Sequence, residues 1–284
     1  MKFNICVIKP RQYPHSGAFL ELSQLLHYSL VELGHASRIS DNYLDTGAIN
    51  IVLGCHLLSL DLLSQVPLSS IILNTEQLEF DQRGWNSKIY SWASKFEVWD
   101  YSQKNIKIFQ SLGIKNVKNI KIGYQKELRR LNPSREKDID VLFYGSINER
   151  RRVLLESLSK SGLKVKILTN TYGYERDEFI EKSKVVLNLH YYNSHIFEII
   201  RVFYLLSNSI AVISEVNDTT HIEPRILSGL YSSNYDGLVS ACNKLVQDEV
   251  LRSEIQDSSF EAMKQSPQSV FTYECIESWV DRVM

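Results

Sequence analysis

Two segments of this 284-residue chain combine glycine, arginine, histidine and glutamate at spacings suited to chemistry on an anion. The first is Tyr144-Gly145-Ser146-Ile147-Asn148-Glu149-Arg150-Arg151-Arg152. A glycine directly after an apolar run lets backbone approach a ligand. A helix start beyond it offers free N–H groups and the positive end of a dipole. Three consecutive arginines add fixed charge able to grip a diphosphate bidentately. The triplet also opposes the dipole at that helix end, so it either meets an anion or lies solvated on a surface.

The second segment runs from Leu187 to Arg201. His190 follows an apolar run, and Asn193 and Ser194 are residue types that cap helices. Glu198 and Arg201 stand three apart among Ile196, Phe197, Ile199, Ile200, Val202 and Phe203. They read either as an intrahelical ion pair or as a carboxylate for a ribose diol with an arginine that holds it or meets phosphate. His15, in a polar loop near the N-terminus, titrates near neutrality and is a candidate general base. Glu76, in Asn74-Thr75-Glu76-Gln77, is the second candidate. His190 and His195 read as contacts to sugar or phosphate.

These residues need elements to position them. Phe3–Ile8 reads as a buried strand and Phe19–Leu33 as a helix closed by Gly34. Strands are expected over 35–40, 51–53, 71–73, 95–99 and 117–122, with a helix over 102–112. A polar stretch, 125–138, reads as a linker. The pattern then restarts: strand 140–144, helix 149–160, strand 163–168, helix 174–182, strand 185–189, helix 197–206 and strand 209–214. Helices 238–247, 251–264 and 270–283 follow. Short apolar strands alternating with helices predict an α/β protein with parallel sheets. Such sheets bind ligands at the C-terminal ends of their strands.

The strings DVLFYGS…RR, VVLNLHYY…FEIIR and AVISE resemble the C-terminal half of GT-B glycosyltransferases, closest to bacterial family-1/family-4-like members and the CgeB-like group. The resemblance covers about residues 138–265. It implies two Rossmann-like domains facing each other across a cleft: an acceptor domain over 1–130, a nucleotide-sugar donor domain over 138–265, and a helix over 266–284 that crosses back. Carried over by position, Gly145 and Ser146 match the turn near the donor phosphates. Arg151 matches a basic diphosphate ligand, Asn193, Ser194 and His195 the loop over diphosphate and sugar, and Glu198 the acid that binds the donor ribose. The paired-glutamate pattern is incomplete, because His190 stands where its first glutamate would be. Asp138-Ile139-Asp140 matches the DxD motif of the other, metal-dependent glycosyltransferase fold, but at the entry of a strand rather than its ligand end. Neither a metal site nor a cofactor is expected.

Composition sets limits around this reading. The chain is 44% hydrophobic and 23% charged with net charge −1, which excludes extended disorder and a globally basic nucleic-acid binder. Cys6, Cys55, Cys242 and Cys275 form no CxxC pair and read as reduced core thiols. The apolar stretches 51–63 and 197–206 are shorter than the ~20 residues of a membrane helix, and the N-terminal one is too short for a signal peptide. Residues 104–137 hold ten Lys/Arg against two Glu, which reads as solvated helix faces or as a landing site for membrane or DNA. The expectation is a metal-independent, cytoplasmic enzyme, or one peripheral to the inner membrane face. It moves sugar from a nucleotide-sugar donor to a glycan, lipid-linked or other hydroxyl acceptor in polysaccharide biosynthesis. The alternatives are an epimerase or hydrolase of the same fold, a DNA-modifying glycosyltransferase, and a non-catalytic nucleotide or nucleic-acid binding module.

Overall fold

A computed structural model describes residues 1–79, 84–134, 136–192 and 195–283. The chain divides into two compact units, Met1–Gln125 with Pro267–Met284, and Lys126–Ser266.

The first unit contains β1 (Lys2–Val7), α1 (Leu20–Glu32), β2 (Ala36–Asp41), β3 (Ile49–Leu53), β4 (Ile71–Asn74), α2 (Asn86–Ala93), β5 (Glu97–Asp100), α3 (Gln103–Ser111) and β6 (Val117–Asn119). The six strands pair in the order β2-β1-β3-β4-β5-β6, all parallel. The inner strands β3, β4 and β5 are buried almost throughout, as expected for a parallel sheet covered on both faces. On one face Val52, Ile72 and Val98 pack against Ile89, Trp92 and Phe109. Helix α2 was not read from the sequence, because at eight residues it is too short for the spacing of Ile89, Trp92 and Ala93 to show a helical period.

The second unit contains β7 (Ile139–Tyr144), α4 (Glu149–Lys160), β8 (Val165–Leu168), α5 (Gly173–Glu181), β9 (Ser183–Asn188), α6 (Ile199–Ser207), β10 (Val212–Glu215), α7 (Pro224–Leu227), β11 (Tyr231–Ser233), α8 (Leu238–Gln247) and α9 (Glu249–Lys264). Its parallel strands run β11-β10-β9-β7-β8. Strand β11 is a polar YSS triplet, which gives no apolar run to read. Strand order reverses beside β7, whose successor β8 lies on one side and β9 on the other. In the first unit it reverses at β1, flanked by β2 and β3. A reversal of this kind opens a crevice at the C-terminal ends of the two strands concerned.

After α9 the chain returns to the first unit as α10 (Gln268–Val283). Ser29 of α1 and Thr272 of α10 share a buried hydrogen bond of 2.9 Å. Gln268 is fully buried; its Oε1 accepts from Gly123 N at 2.7 Å and its Nε2 donates to Lys121 O at 3.2 Å. All four cysteines are free and buried. Burial raises each thiol, Cys6 to about 11 and the other three to about 12, so they are protonated core groups at neutral pH.

Gln268→Ala leaves the Gly123 N–H and the Lys121 carbonyl without this partner. It is expected to lower stability by about 2–4 kcal/mol, measured as a shift of the urea midpoint at unchanged m-value.

Candidate functional site

The loops after β7 and β9 are the ones a strand-order reversal brings side by side, and they carry most of the charged residues singled out above. Gly145, with φ +138°, turns the chain at the end of β7. A Cβ there would lie 3.0 Å from Arg201 Nη2 and 3.6 Å from Arg151 Nη1, so the turn presses backbone against two guanidiniums. Asn148 caps α4, its side chain accepting from Arg151 N at 3.0 Å. Its Nδ2 reaches the Tyr191 carbonyl at 2.9 Å and ties the two loops together.

The three arginines have three different fates. Arg152 is exposed and pairs along its own helix with Glu149 and Glu156, each at 2.6 Å. Arg150 makes a bidentate pair with Glu215 at the end of β10 and lies over the Tyr235 ring. Arg151 is 1% exposed. It donates to the carbonyls of Ser146 at 2.8 Å, His190 at 3.3 Å and Leu189, between the rings of Phe143 and Tyr191. Burial, and then the charge of Arg201, bring its guanidinium down to about 9, with Glu198 working in the opposite direction.

Glu198 is the N-cap residue of α6 rather than an interior helical position. The expected helix over 197–206 therefore begins two residues later, and the Glu198–Arg201 pair does not close along its face. Glu198 instead meets His190 Nδ1 at 3.1 Å, Asn188 Nδ2 at 3.1 Å and, at 4.0 Å, Arg151. Burial works to raise its carboxyl, but the His190 hydrogen bond and the arginine charges hold it below the usual range. Arg201 turns to Asn188 Oδ1 at 3.3 Å. It is half-buried, and among the described residues no carboxylate lies within ion-pair distance of it.

His190 is buried, its Nε2 3.3 Å from Thr220 Oγ1. His195, at φ +50°, sits 2.7 Å from Thr219 Oγ1 and 5.4 Å ring to ring from His190. Asn193 and Ser194 lie outside the described residues. The structure thus brings Gly145, Ser146, Arg151, His190, His195, Glu198 and Arg201 to one end of one sheet. Asn188, Glu215 and Thr220 complete the network. They were not read from the sequence, although Glu215 ends the AVISE string and Asn188 follows an apolar run.

Asp140 is engaged far from this end, with Lys184 at 2.7 Å and the Lys164 N–H at 2.8 Å. Several residues of the basic segment are also committed. Arg129 stacks on Phe260, Arg130 bonds Tyr204, and Lys137 bonds the Glu181 carbonyl.

In the first unit, His15 and Glu76 follow β1 and β4 at the corresponding end of its sheet; His15 lies on a short 3-10 helix, Pro14–Phe19, and not in the loop expected from the sequence. His15 is half-buried against Tyr13, with ring centroids 5.2 Å apart. Glu76 lies 3.6 Å from His56, which falls within the apolar stretch 51–63 and was not among the site residues read from the sequence.

No protein-family profile matches the chain. It is 30% identical over 214 residues to an uncharacterized protein of Acanthamoeba polyphaga mimivirus, an alignment covering 71% of this chain. The chain spans about a quarter of that relative's length, 27%. Among solved structures it resembles Anabaena HepE in complex with UDP and glucose, with a TM-score of 0.65, 11% identity and full coverage of both chains. It also resembles a DNA-modifying β-glucosyltransferase studied with and without uridine diphosphoglucose, with a TM-score of 0.61, 16% identity, and coverage of 99% of this chain and 100% of that one. The chain has the GT-B fold.

Two outcomes test this geometry. Gly145→Ala forces a side chain into a positive-φ conformation and is expected to cost about 1–3 kcal/mol by urea denaturation. The pH dependence follows from Glu198, whose folded-state value lies below the unfolded one of about 4.3. Its contribution is complete above that value and is lost as pH falls through the folded value. The urea midpoint of the unaltered protein should therefore decline more steeply below about pH 4 than that of Glu198→Gln.

Proposed function

We propose that this protein is a glycosyltransferase that takes a sugar from a nucleoside-diphosphate sugar, a UDP-sugar in the first instance, and passes it to a hydroxyl acceptor. The observation that carries the reading is Arg201: a half-buried guanidinium against the Gly145 turn, facing an amide rather than a carboxylate, beside the N-terminus of a twelve-residue helix. That combination suits a diphosphate. The UDP and UDP-glucose named with the HepE structures support the choice of base.

The chemistry follows from charge. Breaking the bond between the anomeric carbon and phosphate leaves negative charge on the diphosphate. Arg201, the start of α4 and the buried charge of Arg151 oppose that charge without reorganising. Ser146 and the N–H groups after Gly145 lie at the same turn. Arg151 acts from behind, because its N–H groups are taken by carbonyls; it holds the turn and adds field. Glu198, kept ionised, suits the donor ribose hydroxyls, and His190 and His195 line the same end of the sheet. Arginine and helix charge can meet the leaving group in a metal-independent reaction. The acceptor hydroxyl needs a base, for which His15 and Glu76 are the candidates in the first unit.

The test is thermal stability against UDP, GDP, ADP, CDP and dTDP in EDTA. A ligand at 100 times its Kd adds roughly 2.7 kcal/mol, which raises Tm by several degrees at about 2–4 °C per kcal/mol. UDP is expected to give the largest shift. Arg201→Ala should abolish most of it while changing the shift with uridine little. No shift with any diphosphate would remove the donor site. Donor turnover that proceeds equally with and without hydroxyl acceptors would favour a hydrolase.

A further inference from the structure

Resting on the sugar-transfer reading, we infer that the Thr220 hydroxyl is itself an acceptor: the second unit moves the donor sugar onto Thr220, and His190 takes the hydroxyl proton. Every group that this needs belongs to the second unit. His190 follows β9, Glu198 precedes α6, and Thr220 lies between β10 and α7. His190 Nδ1 is 3.1 Å from a Glu198 carboxylate oxygen, and its Nε2 is 3.3 Å from Thr220 Oγ1. Carboxylate, imidazole and hydroxyl thus stand in a row. That row is how a weak oxygen nucleophile is activated: the base is oriented by a third group.

Donor and acceptor capacity fix where the protons are. Glu198 is held ionised and only accepts, so Nδ1 carries the ring proton. The Nε2 of the neutral ring is then an acceptor. Thr220 Oγ1 already accepts from Asn217 N at 3.0 Å. Its own proton is therefore directed at Nε2, and one lone pair on Oγ1 remains for attack. The hydroxyl is also held in place. Asn217 O accepts from Thr220 N at 2.9 Å, which closes a turn over 217–220, and Asn217 Nδ2 donates to Glu215 Oε1 at 3.1 Å. Directly beyond, His221 and Ile196 form a parallel bridge that ties this loop to the one ahead of α6. His190 is 1% exposed, whereas Thr220 is half-buried. The base is shielded from water while the hydroxyl stays within reach of a ligand. A hydroxyl built into the same end of the sheet as Arg201 and the Gly145 turn acts at high effective concentration.

In the reaction, the Thr220 hydroxyl proton passes to His190 Nε2, and Oγ1 forms its bond to the anomeric carbon of the donor sugar. The bond from that carbon to the phosphate oxygen breaks, and its electron pair leaves with the nucleoside diphosphate. The imidazolium then gives its proton to water. The product is an O-glycosylthreonine, which has no hydroxyl left at Oγ1, so each chain takes one sugar there.

The experiment incubates the full chain with UDP-glucose, UDP-galactose and UDP-N-acetylglucosamine in turn, and follows intact mass, fragment mapping and UDP release. One sugar per chain is expected, on Thr220, from at least one donor. Its first-order rate constant should not change when the protein is diluted, because the acceptor is in the same chain. Thr220→Ser keeps a hydroxyl and should keep the adduct; Thr220→Val keeps the shape and should lose it. His190→Gln should slow adduct formation about 100-fold or more, the range of a lost general base. A UDP thermal shift with no adduct from any of the donors would overturn the inference and leave the donor site standing, with Thr220 only a hydrogen-bond partner of His190. An adduct on Thr219 or elsewhere, an added nucleotide instead of a sugar, or a rate constant that rises with protein concentration would overturn it in the same way. Absence of any UDP shift in the unaltered protein would overturn the transfer reading and this inference together.

Discussion

The second unit depends on a buried positive charge. A guanidinium that is almost wholly removed from water must have its donors taken, or the burial costs several kcal/mol. Arg151 meets that requirement with three backbone carbonyls, one from the β7 loop and two from the β9 loop. Both loops are thereby fixed to one side chain. Their other attachments, Asn148 to Tyr191 and Arg150 to Glu215, complete the same scaffold. What looks in sequence like a patch of three equal arginines is a division of labour. One side chain is internal structure, one is an ion pair, and one is a solvated helix residue. Arg201, on another helix, turns to the amide of Asn188 instead.

That division marks where sequence reasoning succeeded and where it stopped. The alternation of apolar runs and amphipathic segments carried the α/β class, the parallel sheets and most elements to within a few residues, because burial on both faces imposes continuous hydrophobicity on inner strands. It missed α2, α7 and β11, which are too short to show a period. The family resemblance assigned Gly145 and Glu198 to one donor site, and the structure brings the loops after β7 and β9 together. Sequence reasoning could not tell which of Arg150, Arg151 and Arg152 would be buried. Helical spacing separates them by about 100° each, and only the position of α4 on the sheet decides which faces inward. His56 was passed over for a similar reason. A histidine in an apolar stretch says nothing of the carboxylate opposite until β3 and β4 are paired.

The two units repeat one rule with different chemistry. In each, the strand order reverses near the first strand, and the loops at the C-terminal ends there hold the unusual polar groups. The second unit gathers guanidiniums and helix N-termini, which favour anions. The first gathers carboxylate, imidazole and aromatic rings. Asp100, in the first unit, is raised by burial to about 7 despite four hydrogen bonds, which shows how dry its surroundings are.

The return of α10 has a consequence for how the protein is made. The first unit is interrupted in sequence: its sheet is encoded by the first 125 residues, but the helix that covers α1 follows the whole second unit. At about 5–20 residues per second, the ribosome takes many seconds to translate the intervening segment. Throughout that time Ser29 and the surrounding face of α1 lack Thr272, and the Lys121 and Gly123 backbone groups lack Gln268. The second unit is contiguous and can close as soon as it emerges. The half of the molecule that is synthesised first is therefore the half that is finished last, and its nascent apolar surface is the one that chaperones have longest to bind.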